Sequence, residues 1–478
     1  MSRRQRPGVE RMTGADANFL YLETPSQHMH TLKIAVMSPN PDLTFASFQA
    51  GVLARLSKLP PLRRRAVAVP FQLNHPVWVT QRRVDPTRHF FHHDVGGDGS
   101  MADLERLIGQ IASTPLDRSV PLWELHLCEG LAGGGSAIVG KMHHALADGM
   151  AANALLGNVT DIAGADAFLP REARVPMPPA DDEAPGRRSL IGSALLDAII
   201  QIALIPALLW HTVRGVASML RYRRAERPDV PRPVLDAPRV SFNGALTPER
   251  SFATCTLPLA EVKAARIAHD GVTLNDVVLA IVSGALRAWM DERGEHPAVS
   301  LMAGVPTATP SDSTIPRLHG NKVSNLFTSL ATDIDDPHER LRMISRVTNH
   351  SKEIQRQLGP EMMTEWTQFT PPAPFSVAMR LYSRVRAAAW HAAPFNVIVS
   401  NVPGPREPAH IGEAELADLF SVGPILEGIG LNVTVWSYVD RMNFSLLTCP
   451  TLLDDLTPLA AHFRPALDAL LAPVPTDR

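Results

Sequence analysis

Cysteine is scarce: Cys128, Cys255 and Cys449 are three scattered thiols in 478 residues. That excludes a disulfide framework and points to a reducing compartment. An excess of charge is missing too, with 46 basic residues against 48 acidic ones. Without it there is no bulk pull toward nucleic acid, and none is expected as a partner. The basic opening Met1-Ser2-Arg3-Arg4-Gln5-Arg6 is not followed by an apolar run of signal-peptide length, so secretion by that route is not expected. No fixed-period repeat is visible, and 42 prolines interrupt the chain too often for a coiled coil. What is present is an ordinary 45% hydrophobic content and enough length for two domains with a large core.

The chemistry-bearing residues concentrate in Lys141-Met142-His143-His144-Ala145-Leu146-Ala147-Asp148-Gly149. Ahead of them, Gly133-Gly134-Gly135 opens the short run Ser136 to Gly140, which reads as a buried strand. Behind them, Leu155, Leu156, Val159 and Ile162 recur at helical spacing. The histidines therefore fall in a strand-to-helix turn, where side chains can face a cleft. An imidazole there suits general-base chemistry, being mostly neutral at pH 7 yet able to take a proton from a hydroxyl. Asp148 is accounted for as a cap at the helix start, and Gly149 permits an unusual backbone angle or leaves room for a ligand. An arbitrary His-His pair is more often a surface or satisfied pair. The full pattern His-His-x-x-x-Asp-Gly, however, would arise by chance in only roughly 0.3% of chains of this length and composition, which marks it as a motif. A metal site is disfavoured, because adjacent histidines lack the i, i+4 spacing of a zinc helix and the cysteines lie far apart.

His143-His144-Ala145-Leu146-Ala147-Asp148-Gly149 resembles the HHxxxDG signature of the coenzyme-A-dependent acyltransferase superfamily. Further stretches resemble one branch of it, the bacterial wax ester synthase/diacylglycerol acyltransferase family. They are Ala15-Asp16-Ala17-Asn18-Phe19-Leu20, Pro115-Leu116-Asp117-Arg118 with Pro121-Leu122-Trp123-Glu124, Asn275-Asp276-Val277-Val278, Ser400-Asn401-Val402-Pro403-Gly404-Pro405 and Gly430-Leu431-Asn432-Val433. The matches run in order over almost the whole chain. The resemblance implies an α/β fold: two chloramphenicol-acetyltransferase-like sandwich domains with the active site at their interface, reached through a tunnel by acyl-CoA and an acceptor alcohol. It implies transfer of a long acyl group from acyl-CoA to the hydroxyl of diacylglycerol or a fatty alcohol. His144 would be the general base, His143 would shape the pocket, and Asp148 would fix the turn by pairing with an arginine. Asn275 would support the tetrahedral oxyanion. No metal or redox cofactor is implied, because the acyl-CoA thioester is a substrate that already carries the activation.

Interspersed strands and helices in both halves favour mixed α/β layers. The Pro-, Asp-, Glu- and Ala-rich stretch from Pro170 to Arg188 reads as a linker. The boundaries expected are an N-terminal domain over 1–169, a linker with an apolar helix over 170–237 and a C-terminal domain over 238–478. The run from Leu190 to Leu220 is strongly apolar, but Asp197, Gln201 and Pro206 interrupt it and Arg221-Tyr222-Arg223-Arg224 closes it. A cross-domain packing helix fits better than a spanning one. Its basic end would let the protein rest, from the cytoplasm, on the inner membrane face or on lipid droplets.

Leu62-Arg63-Arg64-Arg65 reads as a solvated turn in preference to an anion site. His89-Phe90-Phe91-His92-His93-Asp94 reads as an exposed loop, Trp123 as core and Ser400 to Pro405 as a rigid turn after a strand. Leu456 to Leu471 reads as one helix. Thr273 and Asp276 have the spacing of a capping box, which gives Asp276 a structural explanation and places Asn275 in the first helical turn. Two rival functions stand beside the main one: an acyltransferase of the same fold with another donor or acceptor, condensation-type or trehalose-directed, and a lipid-binding protein without activity.

Overall fold

The structure is a computed structural model that describes residues 9–56, 59–148, 151, 184–228, 230–232, 236–308, 320–321, 323–359, 362–411 and 413–473. Gly149 and the helix expected around Leu155 lie outside the described residues, as does most of the expected linker.

The N-terminal half opens with β1 (Val9–Arg11), α1 (Gly14–Leu22), β2 (His30–Met37), α2 (Phe45–Leu56), β3 (Arg64–Val67) and β4 (Val77–Thr80). It continues with β5 (Phe90–Asp94), α3 (Met101–Ala112), β6 (Trp123–Glu129) and β7 (Ser136–His143). A long helix follows, α4 (Arg187–Glu226), and then β8 (Ser251–Pro258), α5 (Leu259–Ile267) and α6 (Leu274–Glu292). The rest comprises β9 (Met302–Ala308), β10 (Val323–Ser329), α7 (Pro337–Leu358), α8 (Met362–Thr367) and α9 (Pro372–Arg384). β11 (Val397–Val402), β12 (His410–Ile411), β13 (Ala414–Val422), β14 (Leu431–Tyr438), β15 (Arg441–Thr448), α10 (Thr457–Ala461) and α11 (Phe463–Leu471) complete it.

Two six-stranded mixed sheets dominate, ordered β12-β13-β2-β7-β6-β5 and β10-β9-β11-β14-β15-β8, beside a small sheet β1-β4-β3. The first sheet draws on both ends of the chain: β12 and β13, from beyond residue 400, complete the N-terminal sheet through antiparallel pairing of β13 with β2. α3 is wedged between the halves, its Leu104, Ile108 and Ile111 packing with Leu32, Ile34 and Val139 of one sheet and Phe252 and Leu447 of the other. Gly109 makes this approach possible, because a Cβ there would stand 2.8 Å from the Arg250 carbonyl oxygen. The second core is built around α6, which buries Val277, Val278, Ile281, Leu286 and Trp289.

Several expectations change. The stretch from His89 is no exposed loop: β5 pairs in parallel with β6, and its alternating half-buried pattern is that of an edge strand. The histidines there separate, His89 stacking on Trp123, His92 pairing with Glu129 and His93 bonding His126. Arg63 to Arg65 form no solvated turn; Arg63 is buried with its Nε donating to the Gln81 carbonyl, and Arg64 pairs with Glu10 across 3.0 Å. Ser400 to Val402 belong to β11, and only Pro403 onward turns. The last helix is two, α10 and α11, broken near Pro465, whose ring cannot continue the preceding turn.

α4 packs on both halves at its ends and touches the α8 segment between them, where Gln201 donates to the Gln368 carbonyl at 3.2 Å and Trp366 to Thr212 at 2.9 Å. Leu190 and Ala194 pack with Val69, Val77 and Val79, while Met219 and Tyr222 pack with Val347 and Ile354 of α7. Asp197, which looked costly inside an apolar run, is paired with Arg11 at 2.8 Å. Between these ends the apolar face stands open, with Ile199 65% and Trp210 66% exposed.

Candidate active site

Alternation along β7 sends Ile138 and Met142 to the side of α1 and α2, and Val139 and Lys141 to the side of α3. The two histidines at its end inherit different surroundings. His143 is fully buried. Its Nδ1 accepts the Ala145 backbone N–H at 3.0 Å, which bends the chain into the turn, and its Nε2 faces Glu23 Oε1 at 3.5 Å. Glu23 also accepts from Arg118 Nε at 2.6 Å, and Arg118 donates to the Leu20 carbonyl at 2.9 Å. Burial alone would raise the Glu23 carboxyl; His143 and Arg118 outweigh it and hold the group at about 2. On the same side Lys141 is buried, donating to Thr114 Oγ1 at 2.9 Å and pairing with Glu124 at 3.1 Å.

His144 is half-buried at the seam of the halves. Its backbone N–H donates to the Met29 carbonyl at 2.7 Å, and its ring stacks on Phe19 with centroids 4.2 Å apart. Ring Nδ1 lies 2.9 Å from Asn321 Oδ1. Asn321 Nδ2 donates to Asp16 Oδ1 and to the His144 carbonyl, both at 2.8 Å. No described residue hydrogen-bonds Nε2. Burial lowers the His144 pKa below its ordinary value, partly opposed by the Asn321 hydrogen bond and the Asp148 charge. The ring is therefore neutral at pH 7, which a proton acceptor requires.

Thr13 begins α1 with its hydroxyl accepting the Asp16 N–H and donating to Asp16 Oδ2 at 2.7 Å. Phe19 reaches the ring directly and Asp16, one helical turn earlier, reaches it through Asn321. Asn321 arrives from the other half on Gly320, whose backbone bridges to Ala147; Gly320 N–H donates to the Leu146 carbonyl at 2.9 Å.

Asp148 is buried and accepts the Ala151 N–H at 3.0 Å, as a helix cap does. Its charge acts on Lys33 of β2. Burial brings that ammonium down to about 7, against the pull of Asp148, while Nζ donates to Ser421 at 2.7 Å and lies over the Trp436 ring. The capping box of α6 is formed as its spacing predicted, with Thr273 and Asp276 bonded reciprocally and Ser345 donating to Asp276 at 3.1 Å. Asn275 is half-buried in that first turn, without a hydrogen bond among the described residues, and the amide that meets His144 is Asn321.

Sequence reasoning singled out His143, His144 and Asp148, and the structure gathers them at one turn. It did not find Asn321 or Glu23, and it quoted Asp16, Phe19 and Arg118 only as motif letters. The available signal for Asp16 was its T-x-x-D spacing from Thr13, a capping-box pattern. Asn321 carried no local signal.

A seam-borne neutral imidazole whose Nε2 meets no hydrogen-bond partner among the described residues can take a proton from a hydroxyl. Residues 12–278 match the model of the wax ester synthase/diacylglycerol acyltransferase catalytic domain, and residues 319–471 match that of the C-terminal domain of the same enzymes. A Mycobacterium tuberculosis protein named as a diacylglycerol O-acyltransferase is 38% identical over 444 residues, covering 92% of this chain and 91% of its own. The solved wax ester synthase/diacylglycerol acyltransferase of Marinobacter aquaeolei VT8 is similar at 25% identity and a TM-score of 0.66, covering 96% of this chain and 98% of that one. The first condensation domain of the CDA synthetase shares the fold at 16% identity and a TM-score of 0.56, covering 98% and 97%. The chain thus has the expected two-domain α/β architecture and belongs to the wax ester synthase/diacylglycerol acyltransferase family, as an acyltransferase.

Proposed function

We propose that the chain transfers a long acyl group from acyl-CoA to the hydroxyl of diacylglycerol or a long-chain alcohol, with His144 as general base. Members of its family act on acyl-CoA and on acceptors such as diacylglycerol. The observation that carries the role of His144 is its ring: half-buried between the halves, held at Nδ1 by Asn321 and neutral at pH 7. Nε2 takes the hydroxyl proton as the oxygen attacks the thioester carbonyl carbon. The C–O bond forms, the carbonyl becomes a tetrahedral oxyanion, and its collapse breaks the C–S bond. The departing thiolate takes the proton back from the imidazolium, leaving free coenzyme A and a neutral base. His143 and Asp148 hold the turn that presents the ring.

The same reading places the protein on a lipid surface at the cytoplasmic side, an inner membrane face or a lipid droplet. Support comes from the open face of α4, with Leu195, Ile199, Ile202 and Trp210 exposed, and from the basic end Arg221, Arg223 and Arg224. α4 is long and apolar enough to cross a membrane by length and composition, yet its ends are packed on both halves. Phe71 adds to this surface: it is 76% exposed although its φ of 58° is one that L-residues rarely adopt.

The test is incubation of purified protein with labelled palmitoyl-CoA and either diolein or hexadecanol, with resolution of the lipids. Label in triacylglycerol or wax ester supports the reading; label in neither overturns it. For the surface, replacing exposed Ile199, Ile202 and Trp210 by serine should reduce cosedimentation with anionic liposomes by at least about fivefold. Unchanged sedimentation of the folded variant removes that part.

A further inference from the structure

We propose that Asn321, with Asp16 behind it, is the positioning residue that selects the tautomer of His144, so that the base is complete only when the two halves are closed on each other. The inference rests on the assignment of His144 as the base.

The two ends of an amide side chain differ chemically, and its surroundings decide which way it points. The nitrogen of Asn321 meets two acceptors, Asp16 Oδ1 and the His144 carbonyl oxygen, each at 2.8 Å. Turning the amide over would set Oδ1 against the lone pairs of both, so Oδ1 stays on the ring. A carbonyl oxygen can only accept. The 2.9 Å contact therefore requires a hydrogen on His144 Nδ1. A neutral imidazole carries one such hydrogen, and the lone pair is left at Nε2.

Each member of this chain is itself held. Asp16 is bound through Oδ2 to the Thr13 hydroxyl at 2.7 Å and is 4% exposed. The Phe19 ring lies nearly parallel to the imidazole, 17° from it, and restricts its rotation. Asn321 is delivered by backbone pairing of Gly320 with the histidine turn, where the Asp148 N–H donates to the Gly320 carbonyl at 3.3 Å and the Gly320 N–H to the Leu146 carbonyl at 2.9 Å. Asp16 and His144 thus come from one half and Asn321 from the other, 177 residues beyond His144. A neutral amide at this place orients the ring without the charge of a carboxylate, which would raise the imidazole pKa.

The experiment compares wild type, Asn321→Ala, the double variant Asp16→Asn/Asn321→Asp and His144→Ala, using palmitoyl-CoA with diolein or hexadecanol. It records kcat, KM, the pH profile of kcat/KM, melting temperature and nitrogen NMR of histidine-labelled protein. Signals lost in His144→Ala identify the ring. Wild type should show a protonated Nδ1 and a bare Nε2 at pH 7. Asn321→Ala should lose about 10²-fold in kcat with KM within about twofold, and its ring signals should report mixed tautomers. Asn321→Asp alone would set its second oxygen against Asp16 Oδ1 and the His144 carbonyl; with Asp16→Asn in the same chain that oxygen has a donor, so the double variant should recover much of the lost rate while its acid limb moves to higher pH.

A wild-type ring protonated at Nε2 overturns the proposal. So does a folded Asn321→Ala with a near-normal kcat. A melting loss alone, with the acid limb unmoved in Asp16→Asn/Asn321→Asp, makes Asn321 merely a tie between the halves and overturns it too. If His144→Ala keeps its turnover, the base assignment fails, whatever Asn321 does; if it is inactive while Asn321→Ala is normal, only the positioning role falls.

Discussion

His143 and His144 adjoin in the chain and occupy different surroundings. His143 is sealed between Glu23 and the Ala145 backbone, with both ring nitrogens turned to the protein. His144 is sandwiched between Phe19 and Asn321 and keeps partial exposure, with no hydrogen bond to Nε2 among the described residues. The difference follows from the end of β7: strand alternation points one ring into the buried polar cluster, and the next residue starts the turn and faces the seam. One ring holds the turn in place and the other is available to a reactant.

Substitutions can break this contrast. His144→Ala should have the largest effect, a loss of about 10²–10⁴-fold in kcat with little change in melting temperature, read by steady-state rates and thermal unfolding. Near-normal rates would put the base elsewhere. Asp148→Ala should act on folding, costing about 2 kcal/mol because the Ala151 N–H loses its cap and the Lys33 ammonium, already brought down to about 7 by burial, loses a favourable charge. Denaturant titration checks it, and an unchanged midpoint would deny Asp148 that role. His143→Ala should cost about 1–3 kcal/mol, since it orphans the Ala145 N–H and removes one partner of Glu23. Its activity loss should track its lost stability, and an acid limb shifted on the pH axis would instead make His143 part of the proton transfer.

Acid should also loosen the fold. Burial holds His28 down at about 4 and lowers His30, His89 and His126 as well, so these rings are neutral when folded and bind protons more readily when unfolded. Their contribution is complete above the unfolded value near 6.5 and is lost as pH falls toward 4. Melting temperature should drop across that window; a flat profile there contradicts the buried, neutral assignment.

Much of the fold was legible where local pattern decides. The run before the motif is β7, a buried strand as its apolar residues and the glycine turn ahead of it suggested. The capping box at Thr273 and Asp276 formed at the start of α6. β5 was missed because Phe-Phe-His-His-Asp lacks β-branched residues and is held as a strand by pairing with β6, a tertiary effect. α4 was recognised as a helix, but nothing local tells which part of its apolar face stays uncovered. Asn321 illustrates the limit most clearly: an asparagine after a glycine looks like a turn residue, and its partners stand 177 and 305 positions away.

The pH dependence of kcat/KM in the intact enzyme tests the central claim most directly. A neutral His144 held below its ordinary value predicts full activity at pH 7 and a single-proton decline centred below about 6.5, absent from the residual rate of His144→Ala. A decline centred above that value, or one that persists in His144→Ala, would contradict the account.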